Sequence, residues 1–327
     1  MKKLIVVLIL GNIFFFAWGQ TVICAPKTDL IVLGIRLGST GHMFATKISE
    51  LINMDIPEVS ATVVTGSSEE NPLNVQKKRA QIGFTSSRFA ILAYKGEGSY
   101  KDMPCKDIRF LYFFGITLDN FLARADSSIR KIEDLKDKKI CVGPKGYALT
   151  EGALAVLKEY GLTPEIIRKS GGNVSFASDS DCAQMLQDKV VDAMFGHTGK
   201  SALISQILPI EHAVGLRPLS YDAEKLQQVV KTLGGGITIM EIDGGVYKAE
   251  PRPVLSFGTP YVFVIHKDVP DDLVYKITRV SWEHEKDIRS AMGPFYDPYK
   301  IENAMRGAEI PIHPGALKYF REVGITK

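Results

Sequence analysis

Apolar runs of strand length alternate with segments of helical periodicity through the first two thirds of the chain. Strands are predicted at residues 30–35, 61–64, 81–84, 139–142, 174–176 and 191–195. Helices are predicted in the segment after Gly41, where Phe44, Ile48 and Leu51 recur at helical spacing, and at residues 72–80, 88–94, 149–160 and 182–187. This alternation predicts an α/β fold in which mainly parallel sheets are flanked by helices.

A strand that runs into a glycine-containing turn and then a helix occurs twice, from residue 30 and from residue 138. The first turn covers residues 38–41 and the second covers residues 143–147. Unpaired N–H groups and the helix dipole at such a turn favour an anion. In open α/β sheets, ligands also bind beyond the carboxyl ends of the strands. We therefore predict two lobes whose helix N-termini hold one small anion between them.

Several further runs are extended rather than helical. Residues 108–115 and 121–124 are predicted as two separate extended segments. Residues 118–124 and 254–265 are candidates for hinge strands that carry the chain from one lobe to the other and back.

The N-terminus has the order of residues expected of a secretory signal. Lys2 and Lys3 precede an apolar region, and the small residues Ala17 and Gly19 end it. The pattern predicts a signal peptide over residues 1–19 and a periplasmic location. An N-terminal membrane anchor is the alternative, but the apolar region is interrupted and short for a membrane span.

Composition excludes several functional classes. The chain has 327 residues, and about 300 remain in the mature protein after the signal is removed. That length is enough for two domains. The net charge falls from +3 to +1 when the two lysines of the signal are removed. This balance gives no reason to expect nucleic acid or a membrane surface as a partner, and a monomer is expected. No residue spacing indicates a metal site, and no cofactor is expected.

The disulfide state of the four cysteines is open at this stage. Cys24, Cys105, Cys141 and Cys182 have no metal-site spacing, and export permits disulfides. Cys141 lies in an apolar run and is predicted to be a small buried side chain. A bridge between Cys105 and Cys182 and a set of free thiols are both compatible with the sequence.

Hydroxyl and amide side chains follow the predicted strands of the first lobe. They are candidate hydrogen-bond partners of a solute, and helix capping is the alternative role for each of them. This group contains Ser39, Thr40, Ser67, Ser68, Asn71, Thr85, Ser86 and Ser87.

A second set of candidates surrounds the two turns and the later loops. His42, next to Gly41, could add positive charge beside a bound anion, or lie partly exposed in the first helical turn. Lys145 could pair with a carboxylate or be solvated. The remaining candidate contacts are Gly41, Gly146, Tyr147, Ala148, His197 and Thr198.

The chain resembles the solute-binding proteins of the TAXI subgroup of TRAP transporters over nearly its whole mature length. The resemblance depends on TVVTGSSEENPLNVQKKRAQIGFTSS at residues 62–87, on residues 124–162, and on the HPGALKYFREVG segment at residues 313–324. It implies a type II periplasmic-binding-protein fold, small carboxylate ligands and handover to a membrane permease driven by an ion gradient. With the hinge strands, it predicts one lobe from residues 28–117 and 260–327 and another from residues 118–259. Tyr247 aligns with a family tyrosine that follows the second lobe, so the resemblance makes it a candidate contact, with core packing as the alternative.

The sequence departs from this family where specificity is set. The family has adjacent tyrosines after its first turn, where this chain has Gly41 and His42. The second turn of the family reads Pro-Gly-Ser-Gly-Thr, where this chain has Lys145 and Tyr147 among the aligned residues. Fewer short donors and more ring surface favour a different acid, larger or aromatic, so glutamate is not carried over.

Together these patterns predict an exported receptor that captures a small organic anion, a carboxylate, by hinge closure and passes it to TRAP permease subunits. The alternatives are an enzyme that reuses this fold and a sensory adaptor for a membrane receptor. Ser39 and His42 could form a catalytic dyad, but no orienting acid is identifiable. The sequence identifies neither the solute nor the coupling ion.

Overall fold

The computed structural model describes residues 27–35, 37, 39–145, 148–204 and 207–325, with the backbone alone for Thr40 and Ala148. The predicted signal peptide, Cys24, Gly146 and Tyr147 lie outside the described residues. The strands form one mixed sheet. They are β1 Thr28–Leu33, β2 Val59–Val64, β3 Ile82–Ser86, β4 Ile108–Arg124, β5 Lys139–Val142, β6 Asn173–Phe176, β7 Ala193–Thr198, β8 Leu216–Pro218, β9 Thr238–Ile242 and β10 Val254–His266.

Helices cover the faces of this sheet. They are α1 Thr40–Asp55, α2 Asn71–Gln76, α3 Ser87–Lys95, α4 Ala148–Glu159, α5 Pro164–Lys169, α6 Asp179–Gln187, α7 Leu208–Val214, α8 Ala223–Leu233, α9 Asp271–Glu283, α10 Glu285–Met292 and α11 Pro314–Glu322. Among the described residues, no helix combines the length and the apolar character that crossing a membrane requires.

The sheet has two halves that share the long strands β4 and β10. The strand order is β2-β1-β3-β10-β4-β7-β5-β6, and β8 and β9 pair with β4 and β10. In the first half β1 is parallel to β2 and β3, and in the second half β5 is parallel to β6 and β7. Both β4 and β10 run antiparallel to their neighbours. The α/β prediction is confirmed, with an antiparallel pair between two parallel groups.

The neighbours of the β4–β10 pair change where Thr117 lies opposite Thr259. Strand β3 pairs with β10 from Tyr261 onward, and β7 pairs with β4 from Leu118 onward. The two strands approach closely here, because a Cβ atom on Gly258 would lie 1.8 Å from the carbonyl oxygen of Thr117. Glycine at position 258 therefore permits the crossing between the halves.

One element prediction is wrong in its extent. The extended segments expected at residues 108–115 and 121–124 form the single strand β4, which is 17 residues long. Its pairing with β10 continues through Gly115 and Asp119, so the backbone ladder bridges the polar interruption in the apolar pattern. Residues Ile132–Leu135 form a short 3₁₀ helix.

Each half has its own aromatic core. Phe44 and Phe114 pack with ring centroids 4.7 Å apart in the first half, and Phe121 and Phe195 pack at 4.8 Å in the second. Offset and edge contacts of this kind add to the free energy gained from burial.

The structure replaces the cysteine alternatives with a different pairing. Cys141 is buried as predicted, and it forms a disulfide with Cys182 across 41 residues. The bridge joins β5 to α6. Cys105 is a buried free thiol, so a Cys105–Cys182 bridge is excluded.

Candidate functional site

A cavity of about 170 Å³ lies where the paired strands β4 and β10 pass from one half of the molecule to the other. We call it the hinge cavity. The N-terminus of α3, both crossing strands, the start of α4, the end of β7 and the segment between α8 and β9 surround it. Its lining residues are Ser68, Ser86, Arg88, Phe89, Thr117, Asp119, Leu149, Gly152, His197, Leu233, Ile237, Phe257, Thr259 and Tyr261.

Hydrogen bonds between neighbouring loops fix the hydroxyl groups on the first-half side. Ser68 Oγ accepts from the Ser86 N–H at 3.0 Å, and the carbonyl of Ser68 accepts from Thr85 Oγ1 at 2.5 Å. Ser86 in turn caps α3 by accepting from the Phe89 N–H at 3.2 Å. These bonds hold the first turn of α3 at the cavity wall.

Arg88 places a positive charge in the first turn of α3. Its Nη2 lies 2.8 Å from Glu151 Oε2 of α4, so the ion pair joins the two halves. Its Nε is buried and has no hydrogen-bond partner among the described residues. Glu151 offsets the unfavourable interaction of this cation with the helix dipole, and the Nε–H remains free to donate to a second anion. Arg88 is therefore a candidate anion contact.

Asp119 projects into the cavity from the middle of β4. Burial raises the pKa of its carboxyl well above the ordinary value, and the nearby charge of Asp179 raises it further. Its main-chain carbonyl accepts from the Tyr221 hydroxyl and from Ser256 Oγ, each at 3.1 Å. The carboxylate itself has no hydrogen bond or cationic partner among the described residues.

His197 is held by an acid of the second half. Its Nε2 lies 3.5 Å from Asp179 Oδ2. Burial lowers the pKa of His197, against the opposing effect of Asp179, so the ring is neutral at neutral pH. The predicted residue thus reaches the cavity, but as a neutral hydrogen-bonding group.

A glycine segment between α8 and β9 closes the side of the cavity that faces α3. Gly236 has φ +81°, and its carbonyl accepts from Ser87 Oγ at 2.7 Å. Its N–H donates to Glu309 Oε1 at 2.9 Å. A Cβ atom on Gly236 would lie 2.4 Å from the main-chain nitrogen of Arg88. Only glycine fits this close approach between the two halves.

The predicted first turn contributes no described side chain to the lining of the hinge cavity. Ser39 caps α1 by accepting from the His42 N–H at 3.3 Å. Gly41 packs against the Phe84 ring, which a Cβ atom at this position would approach to 2.9 Å. His42 Nδ1 is buried without a partner among the described residues. Ser39, Gly41 and His42 do not line the hinge cavity.

Two other members of the predicted hydroxyl and amide group tie the first half together. Asn71 is fully buried, and its Nδ2 donates to the carbonyls of Gly34 at 2.8 Å and Phe84 at 2.7 Å. It thereby links the ends of β1 and β3. Ser67 accepts from the Glu70 N–H at 3.1 Å. Neither residue lines the hinge cavity.

Three predicted contacts of the second half have structural partners. Lys145 is exposed, and its Nζ lies 5.0 Å from the centroid of the Phe176 ring. Thr198 is buried and donates to the Ala202 carbonyl at 3.3 Å. Tyr247 is also buried, and burial raises the pKa of its hydroxyl despite a hydrogen bond with Thr198.

Sequence reasoning missed Arg88, Asp119 and the segment around Gly236. Each had a local signal. Arg88 is a cation at the start of a predicted helix, and Asp119 is the one acid in a long apolar strand. The three consecutive glycines at residues 234–236 mark a backbone under unusual constraint. Within the described part of the chain, no group of His, Cys, Asp and Glu could hold a metal ion.

Comparison with known proteins gives a family and a fold. The sequence profile of the NMT1-like family matches residues 37–324. A TctC solute binding protein from Polaromonas superposes with a TM-score of 0.53 at 12% identity, over 83% of this chain and 88% of that one. Its likeness supports the periplasmic-binding-protein fold.

Two sulfonate-binding proteins are similar at lower TM-scores. The periplasmic sulfonate-binding protein SsuA from Methylobacillus flagellatus KT has a TM-score of 0.49 at 11% identity, covering 92% of this chain and 88% of its own. The aliphatic sulphonate binding protein SsuA from Escherichia coli has a TM-score of 0.48 at 14% identity, covering 91% and 79%.

Proposed function

Because the chain belongs to the NMT1-like family and has a solute-sized cavity between the halves of its sheet, we propose that it is an exported solute-binding receptor rather than an enzyme. Its solute is a small organic anion, a carboxylate. Residues 28–117 and 260–327 form one lobe, residues 118–259 form the other, and β4 and β10 are the hinge on which they close.

Arg88 is the observation that carries this proposal. It is a cation with an unpartnered buried Nε, located at the N-terminus of a nine-residue helix beside the cavity. The Ser86 and Ser68 hydroxyls lie on the same side. A guanidinium with an unpaired N–H next to two hydroxyl groups is suited to a carboxylate, because charge-assisted hydrogen bonds to a carboxylate are strong.

The membrane partner follows from the resemblance to TAXI proteins. We propose that the mature protein, released from a signal peptide at residues 1–19, delivers its solute to a TRAP-type permease in the periplasm. Uptake by proteoliposomes that contain such a permease would depend on both the binding protein and an ion gradient. Uptake that proceeds unchanged without the binding protein would contradict this step.

The first experiment is to purify the mature protein without denaturation, denature it and identify any released small molecule by mass spectrometry. A stoichiometric organic acid supports the proposal. If the protein is empty, a thermal-shift panel of carboxylates follows. A folded protein that no acid stabilises would contradict the proposed function.

The role of Arg88 is tested with a matched pair of variants. Arg88→Gln should weaken carboxylate binding by about 10- to 100-fold, because it removes charge-assisted hydrogen bonds. Arg279→Gln is the control, since Arg279 is a half-exposed helical arginine that also pairs with a glutamate. Equal affinities for the two variants in calorimetry would exclude Arg88 as the anion contact.

A further inference from the structure

The hinge cavity has a second charged group that a simple carboxylate does not explain. Asp119 is the one acid in β4, and its carboxyl lines the cavity. Among the described residues it has no hydrogen-bonding or cationic partner. Because its side chain is only partly buried and lines the cavity, this carboxyl is open to a positively charged group of a ligand.

The surroundings of Asp119 favour a cation over an anion. The charge that acts on it is that of another acid, Asp179, and His197 beside Asp179 is neutral. Phe257 is the residue opposite Asp119 on β10, and Tyr261 lies four residues further along the same strand. Aromatic faces next to a carboxylate attract a positively charged nitrogen.

We infer that the Asp119 end of the hinge cavity binds a protonated amine of the solute. The inference rests on the proposed function, in which Arg88 binds the carboxylate end. Arg88 belongs to the first half of the molecule, and Asp119 lies on β4 just past the crossing, where the strand pairs with the second half. A solute that carries both charges would therefore bridge the two halves and favour their closure.

The test compares carboxylates that differ only by an amine. The pairs are alanine with propionate, 4-aminobutyrate with butyrate, glutamate with glutarate, and phenylalanine with phenylpropionate. In calorimetry on the mature wild-type protein, the amine-bearing member of at least one pair should bind at least about tenfold more tightly. In Asp119→Asn that preference should fall to about twofold or less.

Two further variants keep the test specific. Asp272→Asn removes the same charge from a side chain that is 90% exposed, and it should leave the preference unchanged. Asp179→Asn should reduce the preference by a few fold, and it serves if Asp119→Asn does not fold. The preference within a pair is a readout that a merely structural role of Asp119 would not alter.

The outcomes separate this inference from the function on which it rests. Plain acids that bind as tightly as their amine-bearing partners would overturn the inference and leave the receptor function intact. A preference for amines that persists in Asp119→Asn would also overturn it. If no member of any pair binds and no solute is released on denaturation, both proposals fail.

Discussion

At the level of single residues, Asp119 costs the folded chain free energy. Its side chain is partly buried, and no cation pairs with it among the described residues. Burial and Asp179 raise its pKa well above the ordinary value, which means that folding favours the protonated form. With respect to this group, the folded protein is therefore most stable below the pKa that Asp119 has in the unfolded chain. That stability is lost as the pH rises through the pKa of Asp119 in the folded protein.

Asp119→Asn should raise the melting temperature of the ligand-free protein at neutral pH. An increase of about 2–4 °C is expected, because the buried charge is removed while the shape is kept. The gap between variant and wild type should shrink as the pH is lowered from about 8 to about 4, because the wild-type carboxyl is then protonated in the unfolded as well as the folded state. Thermal unfolding over this range measures both effects.

The control for this prediction is Asp272→Asn, whose exposed side chain should give no pH-dependent gap. A melting temperature of Asp119→Asn that is equal to or below that of the wild type at neutral pH would contradict the prediction. It would mean that the Asp119 carboxylate is compensated in the folded protein.

At the level of elements, local pattern and long-range pairing determine different parts of the fold. The strand at residues 139–142 could be predicted because its apolar run and its flanking turns are close in sequence. The full length of β4 could not, because its continuity depends on β10, which lies more than 100 residues away. Polar residues within β4 interrupt the apolar pattern, but they do not interrupt the backbone hydrogen bonds.

The same reasoning explains which site residues could be predicted. Ser86 and His197 lie at the ends of β3 and β7 and Ser68 follows β2, and the ends of parallel strands gather ligand contacts in this class of fold. Arg88 and Asp119 come together only through the order of strands in the sheet. No periodicity encodes that order, so their shared cavity could not be derived from the sequence.

The paired strands β4 and β10 should tolerate an added methyl group at Gly115 but not at Gly258. Gly258→Ala places a Cβ atom 1.8 Å from the Thr117 carbonyl oxygen, so the strands must separate. A loss of about 3 kcal/mol or more is expected, since buried ladder bonds break as well. Gly115→Ala on the paired strand places its Cβ atom 3.8 Å from the Phe295 ring and should change stability little.

Chemical denaturation of the two variants measures the difference. If Gly258→Ala were as stable as Gly115→Ala, the close approach of the strands would not exist in solution.

The Cys141–Cys182 bridge should stabilise the second half of the molecule. It closes a loop of 41 residues between β5 and α6, and a loop of this length corresponds to about 4 kcal/mol in the chain-entropy description. A reductant should therefore lower the melting temperature of the wild type. The Cys141→Ala, Cys182→Ala double variant should melt lower and no longer respond to the reductant. A wild type that is insensitive to full reduction would contradict this role.

At the scale of the whole molecule, the two halves contact each other on the same side of the hinge cavity. Ser87 donates to the Gly236 carbonyl, Glu309 accepts from the Gly236 N–H, and Arg88 pairs with Glu151. All three contacts join segments on opposite sides of the crossing strands. A receptor that closes by bending β4 and β10 would make these contacts in its closed state and lose them on opening. The solute then favours closure by adding its own contacts to both halves.

Gly236→Ala should therefore weaken solute binding by opposing closure. The new Cβ atom would lie 2.4 Å from the main-chain nitrogen of Arg88, and the φ angle of residue 236 is +81°. Gly245→Ala is the matched control, because its φ is +83° and a Cβ atom there meets nothing within 4 Å. Both variants carry the backbone cost of a left-handed residue, about 1 kcal/mol, but only Gly236→Ala obstructs the contact between the halves.

Small-angle scattering with the tightest-binding acid should show the radius of gyration decreasing for the wild type and Gly245→Ala, and less for Gly236→Ala. The affinity of Gly236→Ala should fall by about tenfold, because an equilibrium moved toward the open state reduces the apparent affinity by the same factor. Equal compaction and equal affinity in the two variants would show that the glycine segment takes no part in closure.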